Sequence, residues 1–332
     1  MDAAIFSTMQ VPTSRPEVGP LRLLERIVRA EALGFESAWL AERHFTGYGV
    51  IGNPVVFAAA VAARTSRIKI GFAALILALH NPYELGEQLI MLDHLSGGRL
   101  IAGFGTGRSM KEFGGLGIDV EQRHRRFDEG LEVIRAVWAG EPFERDGLFA
   151  GSFPGSLLRP LQQPHPPIVR AIVHEDSLVA SARLGIPILV GRFPVETQVA
   201  NLAIYTDTLH ACGADEAQIR TLIGRSGILR HVVVAESDAE AEAIASEALY
   251  GYIDRANEVF EPHDFAEFYP KAVIAGAPDS VIEQIRPLAE LGFGRLLCWF
   301  DFGGMDPDAA DRNLERFGTD VLPHLGSLGP RG

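Results

Sequence analysis

The chain has 332 residues, 47% hydrophobic and 22% charged, the composition of a soluble folded protein with room for one large barrel or two ordinary domains. Thirty basic residues against 43 acidic ones leave a formal charge of −13. Such a chain repels polyphosphate, which argues against nucleic-acid binding and against a basic membrane-surface role.

Short apolar runs begin at 3–6, 37–40, 68–71, 99–102, 168–170, 186–190, 231–234 and 295–299. Each is nearly continuous rather than alternating, as expected of a strand buried on both faces. Helical patterns lie between them, over 21–33, 55–63, 82–95, 121–138, 176–184, 196–211, 238–256, 279–291 and 307–322. In the first, Leu21, Leu24, Val28 and Ala32 share a stripe and Gly34 stops the helix. Asn53 and Pro54 cap and open the second. Phe127, Leu131, Ile134 and Trp138 mark one face of the fourth. Buried strands alternating with helices predict a (β/α)8 TIM barrel, a fold of typically ~250 residues. A doubly wound open sheet would place a Gly-x-Gly-x-x-Gly turn after the first strand, and residues 7–20 hold none. We therefore expect a single barrel domain over 1–332 with two insertions. One, near 141–166, is rich in Pro, Gly and aromatics; the other, near 258–276, carries Phe260, Phe265, Phe268 and Tyr269 and reads as a loop or lid.

Barrel enzymes build their sites on the loops leaving the C-terminal strand ends. Those positions here hold Glu42, Arg43 and His44 after the second run, Ala73 and Ala74 after the third, and Gly103 to Arg108 after the fourth. The fifth contributes 170–177, the sixth Gly191 and Arg192, and the eighth 300–304. The ten histidines and two cysteines show no His-x-x-x-His or Cys-x-x-Cys spacing, so no metal site is expected. No Gly-x-Ser-x-Gly elbow marks a hydrolase. Cys212 and Cys298 cannot make a disulfide framework and fit a reducing compartment. With no basic leader at the N-terminus and no apolar run beyond nine residues, a cytoplasmic protein without a membrane span is expected.

Three runs are familiar in this order. Residues 33–45 read Leu-Gly-Phe-Glu-Ser-Ala-Trp-Leu-Ala-Glu-Arg-His-Phe. Residues 92–100 read Leu-Asp-His-Leu-Ser-Gly-Gly-Arg-Leu and are followed by Gly103, Gly105 and Gly107. Gly276-Ala277-Pro278 leads through 300–304 to Val321-Leu322-Pro323. Together they resemble the bacterial luciferase-like flavin oxidoreductases, over nearly the whole chain. The resemblance implies a (β/α)8 barrel, usually a homodimer, that takes reduced FMN from a separate flavin reductase. It also implies a two-component monooxygenase: dioxygen adds to the flavin 4a carbon and the resulting peroxide oxidises a small or medium organic substrate.

Single positions depart from the family pattern. Glu-His-His-Phe is common after the second strand; here Arg43 replaces the first histidine, and His44 is the remaining candidate base or a loop hydrogen-bonder. Arg43 cannot act as a base but can offer charge to flavin or substrate. Ala73–Ala74 falls where some members hold a non-proline cis peptide beneath the flavin ring. The arginine often found inside the Gly-x-Gly loop is Thr106 here, with Arg108 two residues on. For a flavin phosphate the candidates are Thr106, Arg108, Arg123 and Arg125, with His124 and Arg126 beside them, and the Val173, His174 and Ser177 loop. Glu175 and Asp176 would repel a phosphate unless they face away or cap a helix. Two alternatives stay open: a deazaflavin cofactor that passes hydride, and a non-catalytic flavin-binding or partner subunit.

Overall fold

The computed structural model describes residues 1–11 and 16–328; residues 12–15, inside the 7–20 stretch considered above, and 329–332 lie outside the described residues. The strands are β1 (Asp2–Ser7), β2 (Ser37–Leu40), β3 (Lys69–Phe72), β4 (Leu75–Ile76), β5 (Leu100–Gly105), β6 (Phe143–Arg145), β7 (Gly151–Phe153), β8 (Ile168–Ile172), β9 (Ile188–Val190), β10 (Gly227–Val234), β11 (Val273–Gly276) and β12 (Arg295–Trp299). Parallel pairing runs β1–β2–β3–β5–β8–β9–β10–β12, and β12 returns to β1 with Ile5 opposite Cys298. The sheet is closed, and with helices outside it the fold is the predicted (β/α)8 barrel.

The sequence runs and the strands coincide except at three places. β10 begins at Gly227, four residues before the predicted run at 231. β4 continues the third strand after Ala73 and Ala74 and pairs with β5. β11 pairs with the C-terminal half of β10, His231 opposite Val273, and lies within the predicted 258–276 insertion. That insertion is thus more than a loop, because it ends in a helix and a strand. The 141–166 insertion carries the antiparallel hairpin β6–β7.

The helices are α1 (Gly19–Leu33), α2 (Pro54–Arg64), α3 (Pro82–Ser96), α4 (Met110–Gly115), α5 (Arg123–Ala139), α6 (Glu175–Arg183), α7 (Val195–Ala211), α8 (Glu216–Arg225), α9 (Asp238–Asn257), α10 (Phe265–Ala272), α11 (Pro278–Glu290) and α12 (Pro307–Arg316). Their ends follow capping chemistry. Asn53 Oδ1 accepts from the Val56 amide at the start of α2, and Asn81 does the same for Tyr83 at the start of α3. Gly34 closes α1 in the left-handed conformation, φ 94°. The predicted 307–322 helix breaks at Phe317–Val321, which winds as a π turn.

Side chains of β1, β2, β5, β8, β9 and β12 that point inward fill the barrel with Phe6, Trp39, Ile101, Val169, Leu189 and Trp299. Those pointing outward, such as Leu40, Ile70, Phe72, Phe104 and Ile188, pack under the helices. Burial on both faces explains why the strand runs lack polar alternation. Among the described residues no helix is long and apolar enough to cross a membrane.

Candidate active site

The C-terminal ends of β3, β5 and β8 surround a cavity of about 320 Å³. Its lining includes the small residues Ala73, Ala74, Gly105 and Ala171. The Ala73–Ala74 peptide bond is cis, as expected from the sequence. Backbone bonds hold this floor: the Ala73 amide donates to the Leu40 carbonyl (2.9 Å) and the Glu42 amide to that of Ala74 (3.1 Å). A Cβ built on Gly105 would lie 3.0 Å from the Ala74 Cβ, so the floor has room for a flat ligand only while both residues stay small.

Two groups of polar side chains border the floor. The starts of α5 and α6 bring Arg123, His124, His174 and Ser177 to the cavity, with Thr106 and Val173 beside them. At a helix start the first N–H groups lack intrahelical acceptors and attract anions. Ser177 Oγ donates to the His174 carbonyl (2.6 Å) and shapes this turn. Asp176, in the first turn of α6, is also among the residues that line the cavity. Two arginines of the basic run do not belong here. Arg125 is exposed and pairs with Glu129 Oε1 (2.7 Å), one turn along α5. Arg126 donates to the Ala78 carbonyl (2.6 Å) with its guanidinium over Phe149. Helical periodicity explains the split, since successive residues point about 100° apart.

The second group surrounds Phe260. Arg108 Cζ stands 4.0 Å from its ring centre and Arg43 Cζ 5.4 Å. Arg108, expected near a phosphate, therefore joins Arg43 beside an aromatic ring. Burial, then Arg43, pulls the Arg108 pKa below the usual arginine value. Behind them Tyr48 Oη and Tyr252 Oη are 3.1 Å apart. Arg192 lies over Tyr252 (5.2 Å) and Trp299 (5.8 Å). Burial pushes both phenols up; for Tyr48 the arginines at 192 and 43 outweigh it, so its hydroxyl is the more acidic of the pair. Arg230 donates to the carbonyls of Gly191 (3.2 Å) and Phe193 (2.8 Å), which fixes the loop that carries Arg192.

His44 is not in the cavity lining. Its Nε2 donates to Glu42 Oε1 (2.7 Å), and His80 Nε2 donates to the same carboxylate (2.9 Å). Glu42 Oε2 also accepts the Ile76 amide (2.7 Å). Burial pushes the Glu42 carboxyl up, but these bonds outweigh it and hold it below its ordinary value. The bond to Glu42 raises the His44 imidazole above its ordinary value. Buried Glu112 accepts the His44 amide (3.1 Å) and lies 3.9 Å from Arg43 Nη1. Of the two candidate catalytic residues, Arg43 lines the cavity and His44 is bonded to Glu42 beside it.

Sequence reasoning passed over Tyr48, Tyr252, His80 and Phe260 as site residues. Arg192 stood at a strand end and was readable. Tyr252 sits within α9, and its place opposite Tyr48 depends on a packing that no local pattern reports. His80 precedes Asn81, which caps α3, and nothing in that local pattern marks it for the site.

The chain is similar to known proteins over nearly its whole length. The chain is 29% identical over 328 residues to limonene 1,2-monooxygenase of Rhodococcus erythropolis, covering 93% of this chain and 82% of that protein. It is 27% identical over 342 residues to the F420-dependent glucose-6-phosphate dehydrogenase of Kribbella flavida, covering 95% and 97%. The crystal structure of monooxygenase RslO1 from Streptomyces bottropensis superimposes with a TM-score of 0.84 at 28% identity, over 98% of this chain and 99% of that one. A sequence model of the luciferase-like monooxygenases matches residues 1–295, from β1 to the first residue of β12, and the chain belongs to that family.

Proposed function

We propose that the protein is the oxygenase of a two-component flavin monooxygenase. It would take reduced FMN from a separate reductase and use dioxygen to oxidise a small or medium organic substrate. The observation that carries this reading is the cavity floor of Ala73, Ala74 and Gly105 beside the starts of α5 and α6. Small residues admit a flat ring, and Arg123, Ser177 and the first amides of α6 suit a phosphate. Reduced flavin would supply the electrons that activate dioxygen. The chain's own part is to bind and shield: Phe260 and its segment cover the cavity, Arg43 and Arg108 supply charge, and Glu42 with His44 holds the Arg43 loop. The two free cysteines, one exposed and one buried, fit a reducing, cytoplasmic setting. Closure of β12 on β1 supports one barrel domain with two insertions. Exposed Val56 on α2 and Met91 and Leu95 on α3 support a homodimer.

A second reading keeps the cavity and replaces FMN by the deazaflavin coenzyme F420 for hydride transfer. The altered phosphate loop, with Thr106 where an arginine is often found, supports it. The two separate when the protein is mixed anaerobically with photoreduced FMN or reduced F420 and then with oxygen. Retention of reduced FMN with delayed reoxidation is expected. Retention of F420 alone selects the second reading, and retention of neither removes both. Arg123→Ala should weaken FMN roughly tenfold or more, the value of one charge-assisted phosphate contact, while Arg125→Ala should leave FMN binding unchanged.

A further inference from the structure

A guanidinium removed from water needs a counter-charge or ordered acceptors. Around Phe260 the structure gathers three: Arg43 and Arg108 against the same ring, and Arg192 over Tyr252 and Trp299. The nearest carboxylate to Arg43 is Glu112, 3.9 Å from Nη1 and already holding the His44 amide. Burial opposes the charge of Arg108 and of Arg192, and among the described residues neither forms an ion pair. Arg192 Nη1 is buried without an acceptor. This positive charge is concentrated inside a chain of net charge −13, and Arg43 and Arg108 line the cavity itself.

We propose that the Phe260 side of the cavity binds the substrate, and that the substrate is a planar aromatic carboxylate. The inference rests on the reading of the remaining cavity as a cofactor site, since Arg123, Ser177 and α6 then account for the cofactor's phosphate. Arg43 and Arg108 take the carboxylate, because a guanidinium fork matches its two oxygens. The aryl ring lies against Phe260 and over the alanine floor, where an apolar face is offered. Arg192 adds long-range attraction from behind Tyr48. An anion seated here also relieves the repulsion between Arg43 and Arg108.

Benzoate and its neutral isostere benzamide test this on the full chain by calorimetry, with and without saturating FMN. Benzoate should bind at least tenfold more tightly than benzamide, and it should still bind when FMN is present. Arg43→Gln and Arg108→Gln should each cost benzoate about tenfold and leave benzamide unchanged; Arg108→Lys, which keeps the charge, should recover part of the loss and guards against a folding defect. Equal affinity for the two probes overturns the proposal. So does one-for-one displacement of benzoate by FMN, which would assign the arginines to the cofactor. If neither FMN nor F420 binds but benzoate is still preferred, the cofactor reading fails and the anion site stands. If FMN binds and benzoate is not preferred, the anion site alone fails.

Discussion

A buried carboxylate stays ionised only where its oxygens are taken, and those of Glu42 accept from His44, His80 and the Ile76 amide. The pH consequence has a sign on each side. Glu42 is depressed below 4.5, so its contribution to stability is present above that value and is lost as pH falls through the folded pKa. His44 is raised above 6.5, so its contribution is complete below 6.5 and is lost as pH rises through the folded pKa. The pair therefore stabilises most between 4.5 and 6.5. Against His44→Gln, the parent should hold an advantage in urea midpoint near pH 6 that shrinks steadily towards pH 9. A difference flat across that range would show that the pairing is absent. Glu42, Arg43 and His44 were legible as a site because they follow a strand in the barrel rhythm. Which of them faces the cavity was not, because side-chain direction after a strand is set by the loop's own bonds, here those from Glu112 and Ile51.

Among the elements, β3 and β5 approach closely because Gly103 has no side chain. A Cβ there would fall 1.6 Å from the Phe72 carbonyl oxygen, where the backbone itself must yield. Gly103→Ala should cost roughly 3 kcal/mol or more, the scale of severe overpacking, and should abolish cofactor retention along with the cavity floor. A melting temperature within a degree of the parent would contradict the close packing. The strands themselves were readable from near-continuous runs, and eight of them were found by that signal alone. The short pieces were not. β4 is a two-residue continuation past Ala74, and α4 spans six residues, too few for a period to emerge. β11 lay hidden in the 258–276 insertion because Val273–Gly276 is as short as a turn and pairs on one edge only.

For the whole molecule, we propose the exposed apolar residues Val56 (68%), Met91 (51%) and Leu95 (59%), on neighbouring helices, as the face for a second copy. Leu95→Glu should halve the mass seen by light scattering, with the fold and cofactor binding of the separated subunit intact. A monomeric parent at tens of micromolar would remove this face as an interface. The cavity's position between barrel and insertion has a mechanical consequence of its own. Its floor is bonded to the barrel's ladder through Leu40, Glu42 and Ala74. Its other wall carries Phe260 from the segment after α9, where Phe260 meets Tyr48 edge-on, Phe265 stacks on Tyr250 and Phe268 on Tyr252. Ring contacts resist displacement less than hydrogen-bonded strands do, so adjustment to a ligand falls on the Phe260 wall while the floor serves as a fixed reference plane.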